Sequence, residues 1–448
     1  MSKIGLIPHA GKDFAGYVRR QVFQKMYKKP DTIIYIANDH HSLAKNVMSS
    51  INHKPEYSWM NSIKVRNDKN EHSYHWVIPE IEQYFNLDKN QIKSFLIGKK
   101  WLTQEKKVMD FFQKVLNSGG IILFTADLTH FGKSYNFHSY QEPIIYDKYQ
   151  KEEKLMLALI ESNPRSVSQE LKSNPELSSS RINLVVLSRL TSILGLQGRV
   201  IEYYDSSAKD KKGYLKYVIP REKVSVLVSY PGIIYQSKIN YQKVNRFDKD
   251  LALAFLRSSL EHNFPFVLPK WSIWYHKKNG IFVQTEIARN HKKTCCYGEF
   301  QKKGYTTGDF LNNLSLRCRQ DARERWNFEM EGIDFDTMNY EIEVLQDEKK
   351  WKKKSAHQLN LNQNNPYGIY LTFNQGSATY LPGVWKESIP EAKTITDLLD
   401  SLAGKASGTG GRNKSWKNDS QATVRLYKSK KYYSNSSKKD KSKKKKRP

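Results

Sequence analysis

Short apolar runs that end in polar, metal-binding residue types dominate the first third of the chain. The run IGLIP (4–8) ends at His9, TIIYIAND (32–39) ends at His40 and His41, and GGIILFTADLTHFG (119–132) carries Asp127 and His130. Between the first two lies KDFAGYVRRQVFQKMYK (12–28), where Phe14, Val18, Val22, Phe23 and Met26 recur at helical spacing. Continuous apolar, β-branched runs such as TIIYI are the pattern of a strand buried on both faces of a parallel sheet. Further on, YDKYQKEEKLMLALIES (146–162) and SRINLVVLSRLTSILGL (180–196) predict helices, and GRVIEYYDSS (198–207) and KVSVLVSYPGIIY (223–235) predict strands. This alternation predicts an α/β module over residues 1–237, with a mixed, largely parallel sheet flanked by helices.

The polar stretch QSKINYQKVNRFDKD (236–250) reads as a boundary. After it come one predicted helix, KDLALAFLRSSLEHNF (249–264), and several strands: NGIFVQTEIA (279–288), YEIEVLQD (340–347) and the hairpin-like GIYLTFNQGSATYLPGVW (368–385). The turn signals Asn374–Gln375–Gly376 and Pro382–Gly383 punctuate the last of these. A smaller α+β module is expected over 246–403. From Gly404 the sequence turns to Gly, Ser, Asn and Lys, and residues 404–448 are expected to be a disordered Lys-rich tail.

Composition refines this picture. With 448 residues and 38% hydrophobic positions the chain is long enough for two or three domains with real cores. No window approaches the roughly 18 apolar residues of a membrane span, and the start MSKIGLIPHAG has no secretory pattern. The net charge is +29, and from Ser401 onward 16 Lys and Arg stand against Asp419 and Asp440, a balance of +14. The Lys-rich end reads as a nuclear-import signal, a weak nucleic-acid arm with Tyr427, Tyr432 and Tyr433 interleaved, or a solubilising terminus. Three cysteines, Cys295, Cys296 and Cys318, are an odd number and not a disulfide framework, so a reducing, cytoplasmic setting is expected, or a nuclear one through the tail.

Eight of the twelve histidines fall within the first 150 residues, several at strand ends. In an open α/β sheet the carboxyl ends of the strands form the ligand crevice, so His9, His40, His41, Asp127 and His130 are expected to converge. Imidazole with carboxylate is the donor set of non-haem iron, copper and zinc sites. NEHSYHWVIP (70–79) adds Glu71, His72 and His75, which also fit a polar loop capping a helix.

Together PHAG (8–11), DHH (39–41), EHS (71–73) and ADLTHFG (126–132) resemble the Memo family, which is related in structure to the LigB-type subunit of extradiol dioxygenases. The resemblance covers about residues 1–237. It implies His9 and His41 as metal ligands, iron or copper ahead of zinc, and His72, Asp127 and His130 as pocket acid–base groups. His40, His75 and Glu71 would lie around them. Where animal members carry a ligating cysteine, EYYDSSAKD (202–210) offers Lys209 or Ser207, so a carboxylate, Asp205 or Asp210, is left as third ligand, with Asp205 favoured. Arg181 falls where another pocket histidine of those relatives lies.

In the second half, NGIFVQTEIA, TCCYGEF (294–300), MNYEIEVLQD (338–347) and YGIYLTFNQGSATYLPGVWKE (367–387) resemble the AMMECR domain, which many bacteria encode beside or fused to a Memo-type protein and a radical-SAM protein. The resemblance implies a radical-SAM partner. Cys296 in TCCYGEF is either a reactive thiol or a small packed hydrophobe. Two functions follow. One is a metal-dependent pocket, with dioxygenase-like oxidoreductase chemistry on a small aromatic or redox substrate; the other is a non-catalytic interaction protein that binds a small-molecule or peptide ligand and contacts an anionic partner through its basic end.

Overall fold

Four parallel strands form the centre of the amino-terminal sheet, because each is an apolar run with both faces covered. The computed structural model describes residues 1–40, 42–64, 72–132, 142–206, 226–240, 243–261, 268–287, 292–319, 338–352, 367–382 and 394–434. The parallel core consists of β1 (Ile4–Ile7), β2 (Ile33–Ile36), β5 (Ile92–Ile97) and β6 (Ile121–Thr125). Three more strands of this unit are β3 (Met48–Ile51), β4 (Met60–Ile63) and β7 (Leu128–Gly132), and the long pair β8 (Gln197–Asp205) and β9 (Val226–Gln236) completes it. The strand order is β4-β3-β5-β2-β6-β1-β9-β7, with β8 paired to the remaining length of β9. The sheet is mixed, as the alternation predicts: β3, β7, β8 and β9 run antiparallel to a neighbour.

The helices follow the expected stripes. Helix α1 (Lys12–Phe23) buries Ala15, Val18, Val22 and Phe23, and Gly232 of β9 leaves room for it, since a Cβ there would lie 2.8 Å from both Val18 and Val22. Helix α2 (His72–Phe85) buries Val77, Ile78, Ile81 and Phe85. Helix α3 (Glu105–Asn117) buries Val108, Met109, Phe111 and Phe112 and is followed by Gly119 at φ 89°, a left-handed turn that glycine adopts without a Cβ penalty. Helices α4 (Glu142–Ile160), α5 (Pro164–Ser173) and α6 (Arg181–Ile193) complete the unit.

Met1–Phe255 with Leu268–Tyr275 forms one compact unit, and Leu256–Val267 with His276–Pro448 forms the other. The boundary expected in the polar stretch after Tyr235 therefore lies further on, inside α7 (Arg246–Glu261). Its polar start belongs to the first unit, where Asp248 accepts a 2.7 Å ion pair from Arg199 of β8.

The second unit is a six-stranded antiparallel sheet in the order β11-β10-β12-β15-β13-β14, with α8 (Thr307–Arg319) and α9 (Ile395–Ser407). Its strands are β10 (Ile281–Ile287), β11 (Lys292–Glu299), β12 (Met338–Lys352), β13 (Gly368–Phe373), β14 (Gly376–Tyr380) and β15 (Thr423–Tyr433).

Strand β15 corrects the expected tail. It lies between β12 and β13 rather than beyond the fold, and Val424, Leu426 and Tyr427 are buried in the core while Trp416 just before it is fully covered. Lysines interleaved with these residues hide the apolar pattern. Gly404 likewise belongs to α9, where a Cβ would fall 1.5 Å from the Gly411 carbonyl oxygen; glycine permits this close approach of helix and loop. The extreme Lys-rich segment, 435–448, lies outside the described residues. No helix among the described residues is long and apolar enough to cross a membrane.

Candidate functional site at the strand ends

Register explains why His9 and Asp127 meet. Ile7 of β1 pairs with Thr125 of β6 in parallel, and each chain runs on two residues to reach His9 and Asp127 at equivalent places on adjacent strands. The His9 amide donates to Asp127 Oδ1 at 2.8 Å, and His9 Nε2 lies 3.4 Å from Asp127 Oδ2. Strand β2, on the other side of β6, delivers His40, whose Nε2 is 3.1 Å from that of His9 with the rings at 75°. His9 and Asp127 are buried and His40 is half-buried.

A shell of polar side chains fixes these strand ends. Arg19, fully buried on α1, donates through Nη1 to the carbonyls of Pro8 (3.1 Å) and Ala10 (2.6 Å) on either side of His9. Its Nε and Nη2 donate to Glu80 of α2 at 3.0 and 2.6 Å. Asn183 of α6 donates to the carbonyls of Ala37 and Thr125, both at 3.0 Å, holding the ends of β2 and β6 together. Ser178 donates to the Asp127 carbonyl at 2.7 Å, Ser73 accepts from the Asn38 amide at 3.1 Å, and Asp39 accepts from the amides of Leu43 and Ala44.

Burial sets the protonation states. It pushes Asp127 up to about 7, against the His9 amide and the charges of Arg19 and His40, which favour the carboxylate. His130 of β7 is pushed down to about 4, first by burial and then by the charge of His40, so its imidazole is neutral near pH 7. The cluster therefore joins a carboxyl group that titrates near neutrality to a neutral imidazole within electrostatic reach of His40, a combination able to hold and pass a proton. Beside it, Glu152 of α4 accepts from both Thr129 and Tyr203, tying β7 and β8 to that helix.

The other candidates are placed less closely. His75 sits in the first turn of α2 with its ring 5.2 Å from that of Tyr74. His72 begins that helix and Asp205 ends β8, where its backbone pairs with Ser229; the side chains of both lie outside the described residues, as do His41, Glu71, Ser207, Lys209 and Asp210 entirely. Arg181 is exposed at the start of α6. Among the described residues no group of three His, Cys, Asp or Glu side chains is arranged to hold a metal ion. The His9 and His40 nitrogens are nevertheless spaced as two donors on one ion would be, each about 2.0–2.1 Å from it.

Arg19, Asn38, Ser73, Ser178 and Asn183 were not expected at the site. An arginine in the apolar stripe of α1 and the Ser178–Ser179–Ser180 triplet ahead of α6 were the signals available.

In the second unit, Cys296 is exposed on β11. The expectation of no disulfide is corrected: Cys295 and Cys318 are bridged, because β11 and α8 bring these two buried residues to a Cα separation of 5.4 Å. Gly298 is required where it stands, since a Cβ would lie 1.9 Å from the Phe282 ring.

Fold and site thus define an α/β unit with an imidazole–carboxylate cluster at its strand ends, followed by an α+β unit on an antiparallel sheet. Residues 250–432 form an AMMECR1 domain, matched by the model of the AMMECR1 family. No curated protein matches the chain. Among solved structures, an uncharacterized protein from Pyrococcus horikoshii is similar at 13% identity, over 42% of this chain and 90% of that one, with a TM-score of 0.31.

Proposed function

We propose that the amino-terminal unit is a Memo-like, LigB-like enzyme module that binds a small aromatic or redox substrate at the His9–His40–Asp127–His130 cluster and performs dioxygenase-like oxidoreductase chemistry. The observation that carries this reading is the 3.1 Å approach of the His9 and His40 Nε2 atoms beside Asp127, at the carboxyl ends of parallel strands. His9, with His40 or His41, would hold a divalent ion, iron or copper ahead of zinc, and Asp205 is the proposed third ligand. Such an ion supplies Lewis-acid and redox chemistry when bound. Neutral His130 accepts a proton from substrate, Asp127 holds His9 in place through its amide, and Arg19 keeps the loop around His9 rigid. A radical-SAM protein is the proposed partner of the whole chain.

The second reading, a non-catalytic pocket for a small-molecule or peptide ligand, is supported by Lys209 or Ser207 standing where the animal relatives carry a ligating cysteine. Metal analysis of anaerobically purified protein separates the two. The enzyme reading expects about one equivalent of iron or copper in wild type, lost in His9→Ala and reduced in His40→Ala or His41→Ala. Wild type without stoichiometric metal overturns it and leaves the binding pocket.

A further inference from the structure

A cavity lies in the AMMECR1 domain, away from any residue used above. It is an open cleft of about 570 Å³ whose walls carry Lys278, Lys302, Lys303 and Arg425, together with Tyr305. Four cations converge from three parts of the chain: the segment before β10, the turn after β11, and β15. Charges of one sign placed around a concavity repel one another, and an anion in it relieves that repulsion.

Among the described residues, carboxylates leave two of these lysines without an ion pair. Glu299 is shared by Lys302 at 2.8 Å and Arg317 at 2.9 Å, and Asp309 is engaged in capping α8 through Thr306. Among the described residues neither Lys278 nor Lys303 takes part in an ion pair, and both are exposed. Arg425 is held over the Tyr370 ring, 5.9 Å from its centroid, and Tyr370 stacks on Phe300 at 3.9 Å, so that cation stands on a rigid aromatic base.

Tyr305 adds a second chemistry. Its ring stacks on Phe310 at 5.7 Å and 11° while 47% of the residue remains exposed. A ring fixed on one face and open on the other is a platform for a flat heterocycle. The turn that presents it contains Gly304 at φ 87° with no atom within 4 Å of where a Cβ would be, which leaves the mouth of the cleft open. The volume falls in the range of roughly 300–1,000 Å³ usual for ligand sites.

We infer that this cleft binds a nucleotide, either free or as one unit of a single-stranded nucleic acid, with the phosphate among Lys278, Lys303 and Arg425 and the base on Tyr305.

Fluorescence anisotropy on the full chain tests this, with a labelled oligothymidylate of about ten nucleotides and with a labelled ATP analogue, both in low salt. Saturable binding of one probe is expected. The doubly substituted Lys278→Glu, Lys303→Glu protein weakens it at least tenfold and flattens the salt dependence by roughly 1.5 in slope. Tyr305→Ala weakens it roughly fivefold at an unchanged melting temperature. Competition of unlabelled ATP with the bound oligonucleotide at similar concentrations identifies the free nucleotide as ligand, and failure to compete identifies the strand. The Lys-rich segment near the chain end is the same in every variant, so it does not contribute to the differences. Absence of binding by both probes overturns the inference. Affinities that stay at the wild-type value in both Tyr305→Ala and the double variant do so too, and should the double variant melt early, Tyr305→Ala alone decides.

Discussion

His9 and His40 reach across the end of β6 from strands on either side of it, and their Nε2 atoms stand 3.1 Å apart. With no ion between them, one ring must donate the proton that the other accepts, so each fixes the tautomer of its neighbour. The two rings are not equivalent in cost. His9 is 1% exposed and also meets Asp127, whereas His40 is half-buried. His9→Ala should therefore destabilise by about 2–4 kcal/mol, from the lost packing and the uncompensated Asp127 carboxyl, and His40→Ala by about 1 kcal/mol. Denaturant unfolding with excess chelator, which removes any contribution from a bound ion, measures both. The opposite order would mean that His9 is not the buried member of the pair.

Arg19 makes a sharper case, because it has no exposure and spends its donors on two backbone carbonyls and a carboxylate. Arg19→Met keeps much of the apolar stem but leaves Glu80 without its cation and the Pro8 and Ala10 carbonyls without their donor. A loss of about 3–5 kcal/mol is expected, as for breaking a buried pair from one side. The double variant Arg19→Met, Glu80→Leu should recover part of it, since both charges are then gone. Urea midpoints of the three proteins decide; full additivity of the two substitutions would show that the pair is not coupled.

These two sites illustrate what the chain discloses about itself. His9 and Asp127 stand out because each ends an apolar run, and parallel pairing of Ile7 with Thr125 fixes their register. Which of His40 and His41 turns toward His9 is not readable, since neighbouring residues at a strand end differ only in direction. Arg19 is hidden by the rule that arginine faces water, and its reason for burial lies 61 residues away at Glu80. Asn183 is hidden in the same way: its partners Ala37 and Thr125 are 146 and 58 residues distant. In β15 the difficulty is compositional, because Lys428, Lys430 and Lys431 outweigh the buried Val424, Leu426 and Tyr427 in any average over the segment, while Lys431 is paired with Glu341 at 2.8 Å.

Glu202 should make stability depend on pH. It is buried on β8, and burial pushes its carboxyl up to about 8, opposed by the Tyr203 amide and the Tyr17 hydroxyl; Asp250 adds to the rise and Arg246 opposes it. Tyr17 is in turn pushed up to about 12 by burial and by the Glu202 charge. An acid that ionises less readily when folded contributes its full stability below the ordinary value of 4.5 and loses it as pH rises through about 8. Glu202→Gln should thus match wild type near pH 4, exceed it increasingly up to about pH 8 and keep a constant lead above that, on the order of a few kcal/mol. Melting temperatures of the two proteins across that range check this; parallel curves would show that the carboxyl does not ionise differently on folding.

Cys295 and Cys318 offer the most direct chemical test of the second unit. The two are buried on β11 and α8, their Cα atoms 5.4 Å apart, inside the range of about 4.4–6.8 Å that a disulfide spans. Cys296 follows Cys295 along the strand and is exposed. Strand alternation turns these adjacent cysteines to opposite faces. Protein unfolded without reductant and treated with iodoacetamide should therefore carry one adduct, on Cys296, and three after reduction. Closing a loop of 23 residues restricts the unfolded chain by about 3 kcal/mol in the loop-entropy account, so Cys318→Ser should lower stability by about that amount in oxidised protein. In reducing buffer wild type and variant should differ far less, because only the small cost of a hydroxyl in place of a buried thiol remains. Three adducts without prior reduction would mean that Cys295 and Cys318 form a packed thiol pair, and the stability difference between the two buffers would then vanish.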